Sequence, residues 1–154
     1  MALAGPSRFR SRRLERDNVP RMADYTTKRI DDMEAIFGGS FRKARSELGV
    51  TSFGMQVIDM PPNGNQYPEH DHAESGQEEV FVTISGRSTI TVDGEDVDLS
   101  PDVVIRVGAG TRRKIVTGDE PTRILALGAT PGKAYEVIDF TEVGAPDPFA
   151  NQGS

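Results

Sequence analysis

The chain contains two histidines, and they stand two residues apart at positions 70 and 72. In an extended segment alternate side chains share a face, so the imidazoles of His70 and His72 converge on one point. Glu79 opens the next predicted strand, and its carboxylate can approach that point from across the sheet. Two imidazoles and one carboxylate form a facial triad that leaves positions open on a divalent metal. Because substrate or dioxygen binds at such positions, these three residues are the candidate metal ligands.

Two aromatic residues stand close to this cluster in the sequence. Tyr67 precedes the histidine pair and is a candidate to line the mouth of the site, with a packing role as the alternative. If Glu79 points inward, Phe81 shares its face because side chains alternate along a strand. Phe81 is therefore a candidate wall of the pocket.

The opposite face of the same strand carries Val80, Val82 and Ile84. If Glu79 points inward, this apolar row points outward and has to be covered. The N-terminal segment or a second subunit can cover it. A homodimer is therefore an expected assembly.

The elements that position these residues are predicted to be short β-strands. They are expected at 51–60, 78–84, 88–92, 95–99, 103–107, 113–117, 122–127 and 135–140. Asp93-Gly94 is a strong signal for a two-residue hairpin. Turns about every ten residues are typical of a sandwich or closed barrel. No helix-length periodic segment falls between the strands, so the predicted fold is all-β.

The N-terminal part is predicted to differ from the barrel. Residues 25–29 are expected to form a short strand, followed by two short helices at 31–37 and 41–48 that end at glycines. The expected division is a disordered basic arm at 1–21, a segment packing on the barrel at 22–50, the barrel at 51–140, and a flexible tail at 141–154.

The basic arm holds six arginines against two acidic residues, which gives this segment a charge of +4. It lacks apolar periodicity, which favours disorder. A solvated tail is the simplest interpretation, and an anion-binding or targeting tail is the alternative. Translation from Met22, which would remove the arm from the native protein, is a further alternative.

Composition excludes several classes of function. The formal net charge of -6 argues against nucleic-acid binding, which needs clustered lysines and arginines. The absence of cysteine excludes disulfides and thiolate metal sites. No apolar run of about 18 residues is present, so no membrane span is expected. The N-terminus shows no secretory signal, and a cytoplasmic location is expected.

The histidine pair and Glu79 resemble the first conserved motif of the cupin superfamily. That motif reads Gly, five residues, His-x-His, three or four residues, Glu, six residues, Gly. Gly64, His70, His72, Glu79 and Gly86 match it, except that six residues separate His72 from Glu79. The resemblance extends over roughly 51–127 and implies a single cupin-type jelly-roll barrel.

The second cupin motif is degenerate in this chain. Aligned on Gly110, the position of the fourth metal ligand, a histidine in metal-binding cupins, is occupied by Arg113. A guanidinium has no lone pair to offer a metal. Two arrangements follow. A metal sits on His70, His72 and Glu79 while Arg113 holds an anionic substrate, or Arg113 pairs with Glu79 and replaces the metal.

Three functional hypotheses remain open at this point. The chain is a metal-dependent dioxygenase or isomerase of a small, anionic metabolite, using Fe, Mn, Ni or Zn. Alternatively it is a metal-free binding module or a structural cupin without ligand. The fold cannot choose among them, because the cupin barrel hosts many chemistries and several proteins that are not enzymes.

Overall fold

The computed structural model describes residues 22–150, and the predicted disordered arm at 1–21 lies outside them. Within this described range, nine strands and one short α-helix follow in chain order, with short 3-10 turns at Ile30–Asp32 and Asp139–Thr141. They are β1 (Ala35–Ile36), β2 (Phe41–Arg42), α1 (Ala44–Leu48), β3 (Gly54–Met60), β4 (Glu78–Ser85), β5 (Ser88–Val92), β6 (Glu95–Leu99), β7 (Val104–Val107), β8 (Arg113–Thr117) and β9 (Thr122–Ala129). In the described part of the chain, no helix is long and apolar enough to cross a membrane.

The strands form two antiparallel sheets. One sheet has six strands in the order β1-β2-β3-β9-β4-β7, and the other has three in the order β6-β5-β8. Their inner faces enclose a core whose fully buried members include Phe81, Ile90, Ile115 and Ile124. The predicted all-β barrel is confirmed.

The hairpin between β5 and β6 forms as its sequence predicts. Asp93 and Gly94 have φ values of 47° and 88°, so both central residues of the turn are left-handed. This is the backbone that a two-residue hairpin needs in order to match the twist of its strands. The hairpin supplies two of the three strands of the smaller sheet.

The face of β4 also follows the prediction. Glu79, Phe81 and Thr83 are buried, while Ile84 on the opposite face is 43% exposed. The N-terminal segment covers a neighbouring part of this outer face, where Met33 and Ala44 pack against Val57 of β3. The homodimer expected from the outward apolar row stays a prediction.

The N-terminal segment differs from the predicted strand and two helices. Residues 25–29 form no strand, and the chain from 35 to 42 is a small β-hairpin instead of helix. Phe37, Gly38 and Gly39 all have positive φ, so the glycine pair turns the chain back rather than ending a helix. Only the last predicted helix forms, shortened to α1, and Gly49 ends it at φ 73° as predicted.

The C-terminal segment also differs from its prediction. Residues 135–140 pair with no strand of the described chain, so the strand predicted there is wrong. Residues 141–150, expected to be flexible, are instead bonded to the N-terminal hairpin. The buried Nζ of Lys43 donates to the carbonyl oxygens of Glu142 and Ala145, and Asp147 accepts from the backbone N–H of Phe37. Residues 151–154 lie outside the described part.

Candidate metal centre and its cavity

The histidine pair lies on an extended segment that runs beside β8. His70 and Arg113 exchange two backbone hydrogen bonds, of 3.1 and 2.9 Å, and form an isolated bridge. The N–H of His72 is bound by the carbonyl of Ala109 at 2.7 Å. The extended segment around the pair is thus tied to the barrel by a few backbone contacts. The alternation that aims both imidazoles the same way is nevertheless preserved.

The six-residue spacing between His72 and Glu79 is absorbed by a turn. Gly76 has a φ of 71°, and its N–H donates to the carbonyl of His72 at 2.8 Å. The side chain of Asp71 accepts from the N–H of Ala73, which fixes the start of the turn. The extra residues therefore do not displace Glu79, which still enters β4 with its side chain inward.

His70, His72 and Glu79, called the triad below, bring their ligand atoms together. One such atom from each residue lies within 4.8 Å of the other two. Glu79 Oε2 is 3.3 Å from His72 Nε2 and 4.0 Å from His70 Nε2. Glu79 is only 5% exposed. The three residues predicted to ligate a metal are thus adjacent and partly enclosed.

The hydrogen bonding of the triad fits a cation. His70 Nδ1 lies 2.8 Å from the carbonyl oxygen of Pro68, which can only accept. In a neutral His70 this contact places the proton on Nδ1 and leaves the lone pair of Nε2 directed at the site, as in many metal-binding histidines. His72 Nε2 and Glu79 Oε2 are buried and have no hydrogen-bond partner within residues 22–150. Buried polar atoms are rarely left so.

Arg113 contacts the triad from the buried side of Glu79. Its side chain is fully buried, and its Nε is 3.4 Å from Glu79 Oε2. The remaining nitrogens donate to the carbonyl oxygens of His70 and Gly108, at 3.4 and 3.2 Å. Its Nε still lacks a partner with hydrogen-bond geometry in the described chain. The guanidinium thus forms a buried salt bridge with Glu79 that does not include a hydrogen bond.

One cavity of about 1060 Å³ opens from the triad toward the N- and C-terminal segments. Tyr67 lines it, as predicted, and packs its ring 5.4 Å from that of His70. Burial raises the pKa of Tyr67 well above its ordinary value, with a further contribution from the charge of Glu79. Tyr67 therefore remains a neutral phenol.

Two predicted ligand-binding residues do not reach this cavity. Arg113 is fully buried and bonded to two backbone carbonyls, so it does not line the cavity, and its predicted role as a clamp for an anionic substrate stays a prediction. Phe81 is 0% exposed and belongs to the barrel core, so it does not form a pocket wall. Its edge packs against the ring of Tyr67, with the centroids 6.4 Å apart, and supports that residue from below.

The residues at the outer end of the cavity were not predicted from the sequence. Phe37, Phe41, Phe140 and Phe149, called the aromatic rim below, line it together with Tyr135 and Ile138. Ring centroids within the rim lie 5.5–5.9 Å apart. Because these residues lie up to 112 positions apart in the sequence, no local motif predicts that they come together. The only signal was a concentration of phenylalanine in otherwise glycine- and proline-rich ends.

Comparison with known proteins agrees with this architecture. The family model described as "Cupin domain" matches residues 56–128. An uncharacterized protein of Streptomyces coelicolor is 30% identical over 106 residues, which are 67% of this chain and 94% of that protein. The chain belongs to the cupin superfamily.

Solved structures show the same fold. A cupin protein from Bacteroides fragilis superposes with a TM-score of 0.59 at 20% identity, covering 76% of this chain and 93% of that one. A structure described as a sugar phosphate isomerase from a cupin superfamily, from Silicibacter pomeroyi, also gives 0.59, at 18% identity over 74% of this chain and 83% of that one. At these identities the likeness concerns the barrel alone.

Proposed function

We propose that this cupin binds a small molecule through a divalent metal held by His70, His72 and Glu79. The observation that carries the proposal is that two buried atoms able to ligate a metal, His72 Nε2 and Glu79 Oε2, lie close together and have no hydrogen-bond partner in the described chain. The lone pair of His70 Nε2 completes a two-histidine, one-carboxylate set. Such a set leaves positions open for a ligand.

The residues of this chain have separable tasks in that function. The triad would hold the metal, which would polarise an oxygen donor of the ligand or activate dioxygen, as an isomerase or dioxygenase requires. Arg113 places its guanidinium 3.4 Å from the Glu79 carboxylate on the buried side of the triad. Tyr67 offers a neutral phenol at the cavity wall. An anionic oxygen of the ligand would bind at the metal, because Arg113 is closed off from the cavity.

Metal analysis tests the proposal directly. The purified protein is stripped with a chelator, reloaded separately with Fe(II), Mn(II), Ni(II) or Zn(II), desalted, and measured by elemental analysis. We expect about one metal per chain for at least one ion, and less than a tenth of that for His72→Ala. The matched control is Asp71→Ala, because Asp71 lies between the histidines but only accepts from a backbone N–H.

A metal-free binding module is the second candidate, favoured by the 3.4 Å approach of Arg113 Nε to Glu79 Oε2. In that case none of the four ions would be retained in stoichiometric amount, and His72→Ala would match wild type in the same assay. Either result would overturn the metal proposal. Equal retention by wild type and His72→Ala would place the ion elsewhere on the chain.

A further inference from the structure

Aromatic residues are few in this chain, yet most of them line a single cavity. The sequence has seven phenylalanines, three tyrosines and no tryptophan. Six of these ten residues line the cavity described above: the four of the aromatic rim, Tyr67 and Tyr135. The barrel core, by contrast, uses mainly aliphatic residues and the single Phe81. The concentration therefore concerns the cavity and not general packing.

The aromatic rim is not a closed packing cluster. Phe149 is 60% exposed and the adjacent Ile138 is 52% exposed, whereas Phe81 in the core is 0% exposed. Apolar surface exposed around a concave site is typical of ligand pockets, because a bound apolar group releases the water held there. The rim thus offers a site for an apolar or aromatic group.

The charged residues of the cavity also favour an uncharged group at the end remote from the triad. Apart from the triad, the charged residues that line it are Arg42 and Asp59. These two bind each other, with Arg42 Nε 2.7 Å from Asp59 Oδ2. The lining described here therefore offers no unpaired cation to a second anionic group of a ligand. The part of the ligand remote from the triad has to be neutral.

The register of the larger sheet sets the length of such a ligand. Glu79 on β4 is paired with Gly128 on β9, and Gly128 with Gly54 on β3. Phe41 on β2 lies one strand further and pairs with Ile58. Three strand spacings, about 14 Å, separate the strands of Glu79 and Phe41. The register adds an offset along β3 from Gly54 to Ile58, which is about 13 Å. A molecule that reaches both ends is elongated.

We propose that the aromatic rim binds the apolar or aromatic tail of an elongated ligand whose oxygen-donor head lies at the triad. This inference rests on the proposed function for the head group, and it adds the class of the ligand: a neutral chain or ring system that ends in a metal-binding oxygen group. The rim determines specificity and contributes no group to the chemistry.

A matched pair of probes tests the inference. Phenylhexanoyl hydroxamate and hexanoyl hydroxamate share the same metal-binding head and chain, and only the first ends in a ring. Calorimetric titration of the metal-loaded protein is expected to show about tenfold tighter binding of the phenyl probe. A single phenyl group buries enough apolar surface for such a ratio.

Variants then locate the preference. Phe149→Ala and Phe140→Ala are expected to reduce the ratio of the two affinities to about two or less, while the affinity for hexanoyl hydroxamate changes little. Phe149 is largely exposed, so its replacement does not threaten folding. Phe53→Ala is the matched control, because Phe53 is exposed and lies outside the cavity; it should keep the wild-type ratio.

A metal-independent probe separates this inference from the proposed function. Naphthol fluorescence reports occupation of the rim without any metal and should respond to Phe149→Ala but not to Phe53→Ala. Suppose that metal loads normally, but that Phe149→Ala changes neither the ratio of the two hydroxamate affinities nor the binding of naphthol. The inference is then overturned while the metal proposal stands. If no metal loads but naphthol binding is lost in Phe149→Ala, the rim is supported and the metal proposal fails.

Discussion

The cavity has a polar end, the triad, and an apolar end, the aromatic rim, and the two ends come from different parts of the chain. The triad is drawn from residues 70–79, which are one loop and the start of one strand. The rim joins residues 37 and 41 to residues 140 and 149. The first is therefore encoded locally, while the second exists only once both ends of the chain have met.

The two ends are also stabilised by different cations. Arg113 behind the triad is rooted in β8, whose backbone bridges to His70. Lys43, which follows β2, ties together segments about 100 residues apart through Glu34, Glu142 and Ala145. Both side chains are fully buried. The triad is thus positioned by neighbouring strands, whereas the chain segments that form the rim are held together through a buried lysine.

Replacing Arg113 should have the largest effect and should act on the triad. Arg113→Met leaves the buried carboxylate of Glu79 uncompensated, so the free energy of unfolding should fall by about 3–5 kcal/mol in urea titrations. Saturating metal should recover part of this loss, since a cation at the triad compensates the same charge. Arg112→Met is the control: its ion pair with Glu69 is more than half exposed and should contribute less than about 1 kcal/mol.

An equal loss of stability in Arg113→Met and Arg112→Met would contradict the assignment of Arg113 to the support of Glu79. A loss that metal leaves unchanged would mean that the ion binds away from this carboxylate.

Replacing Lys43 should have the next largest effect and should act on the rim. Lys43→Met removes three hydrogen bonds of 2.6–2.8 Å from a buried ammonium, and the free energy of unfolding should fall by about 2–3 kcal/mol. Metal retention should stay at the wild-type level. Hydrogen exchange should quicken at residues 140–150. Lys28→Met is the control, because Lys28 pairs with Glu47 from the surface.

Loss of metal retention in Lys43→Met would contradict the independence of the two ends, because the rim and the triad would then unfold as one cooperative unit. Unchanged exchange at residues 140–150 would mean that Lys43 does not hold the C-terminal segment.

Lowering the pH should change the stability least, through the carboxylate of Glu34, which binds Lys43. Hydrogen bonds from Lys43 and from the N–H of Gly144 hold the pKa of Glu34 below its ordinary value of 4.5. A lowered folded-state pKa stabilises the protein above pH 4.5, and this contribution is lost as the pH falls through the folded-state value. The pKa values of Glu47 and Glu142 are lowered as well, by hydrogen bonds to the Glu34 N–H and the Ser46 hydroxyl respectively.

Thermal unfolding of wild type and Glu34→Gln at pH 7, 5, 4 and 3 measures that contribution. The Tm difference between them should be constant at pH 7 and 5. It should shrink as the pH falls below 4.5 toward the lowered folded-state pKa, below which Glu34 is protonated in both states. A Tm difference that does not change with pH would show that the charge of Glu34 is irrelevant to the rim.

The sequence by itself determined the barrel and the triad. Local patterns were sufficient for these: alternation placed Glu79 inward, Asp93-Gly94 formed the hairpin, and the spacing of His70 and His72 aimed both rings at one point. Each of these signals depends on neighbours within a few residues, and strand geometry then propagates them across the sheet.

Tertiary structure alone decided the ends of the chain and the accessibility of the site. The glycine pair at 38–39 reads equally well as a helix stop or a hairpin turn, and contacts with Asp147 and the barrel selected the hairpin. The sequence aligns Arg113 with a metal-ligand position, but only the tertiary structure placed its side chain against Glu79 and the carbonyls of His70 and Gly108. The aromatic rim depends on contacts across about a hundred residues, which no periodicity records.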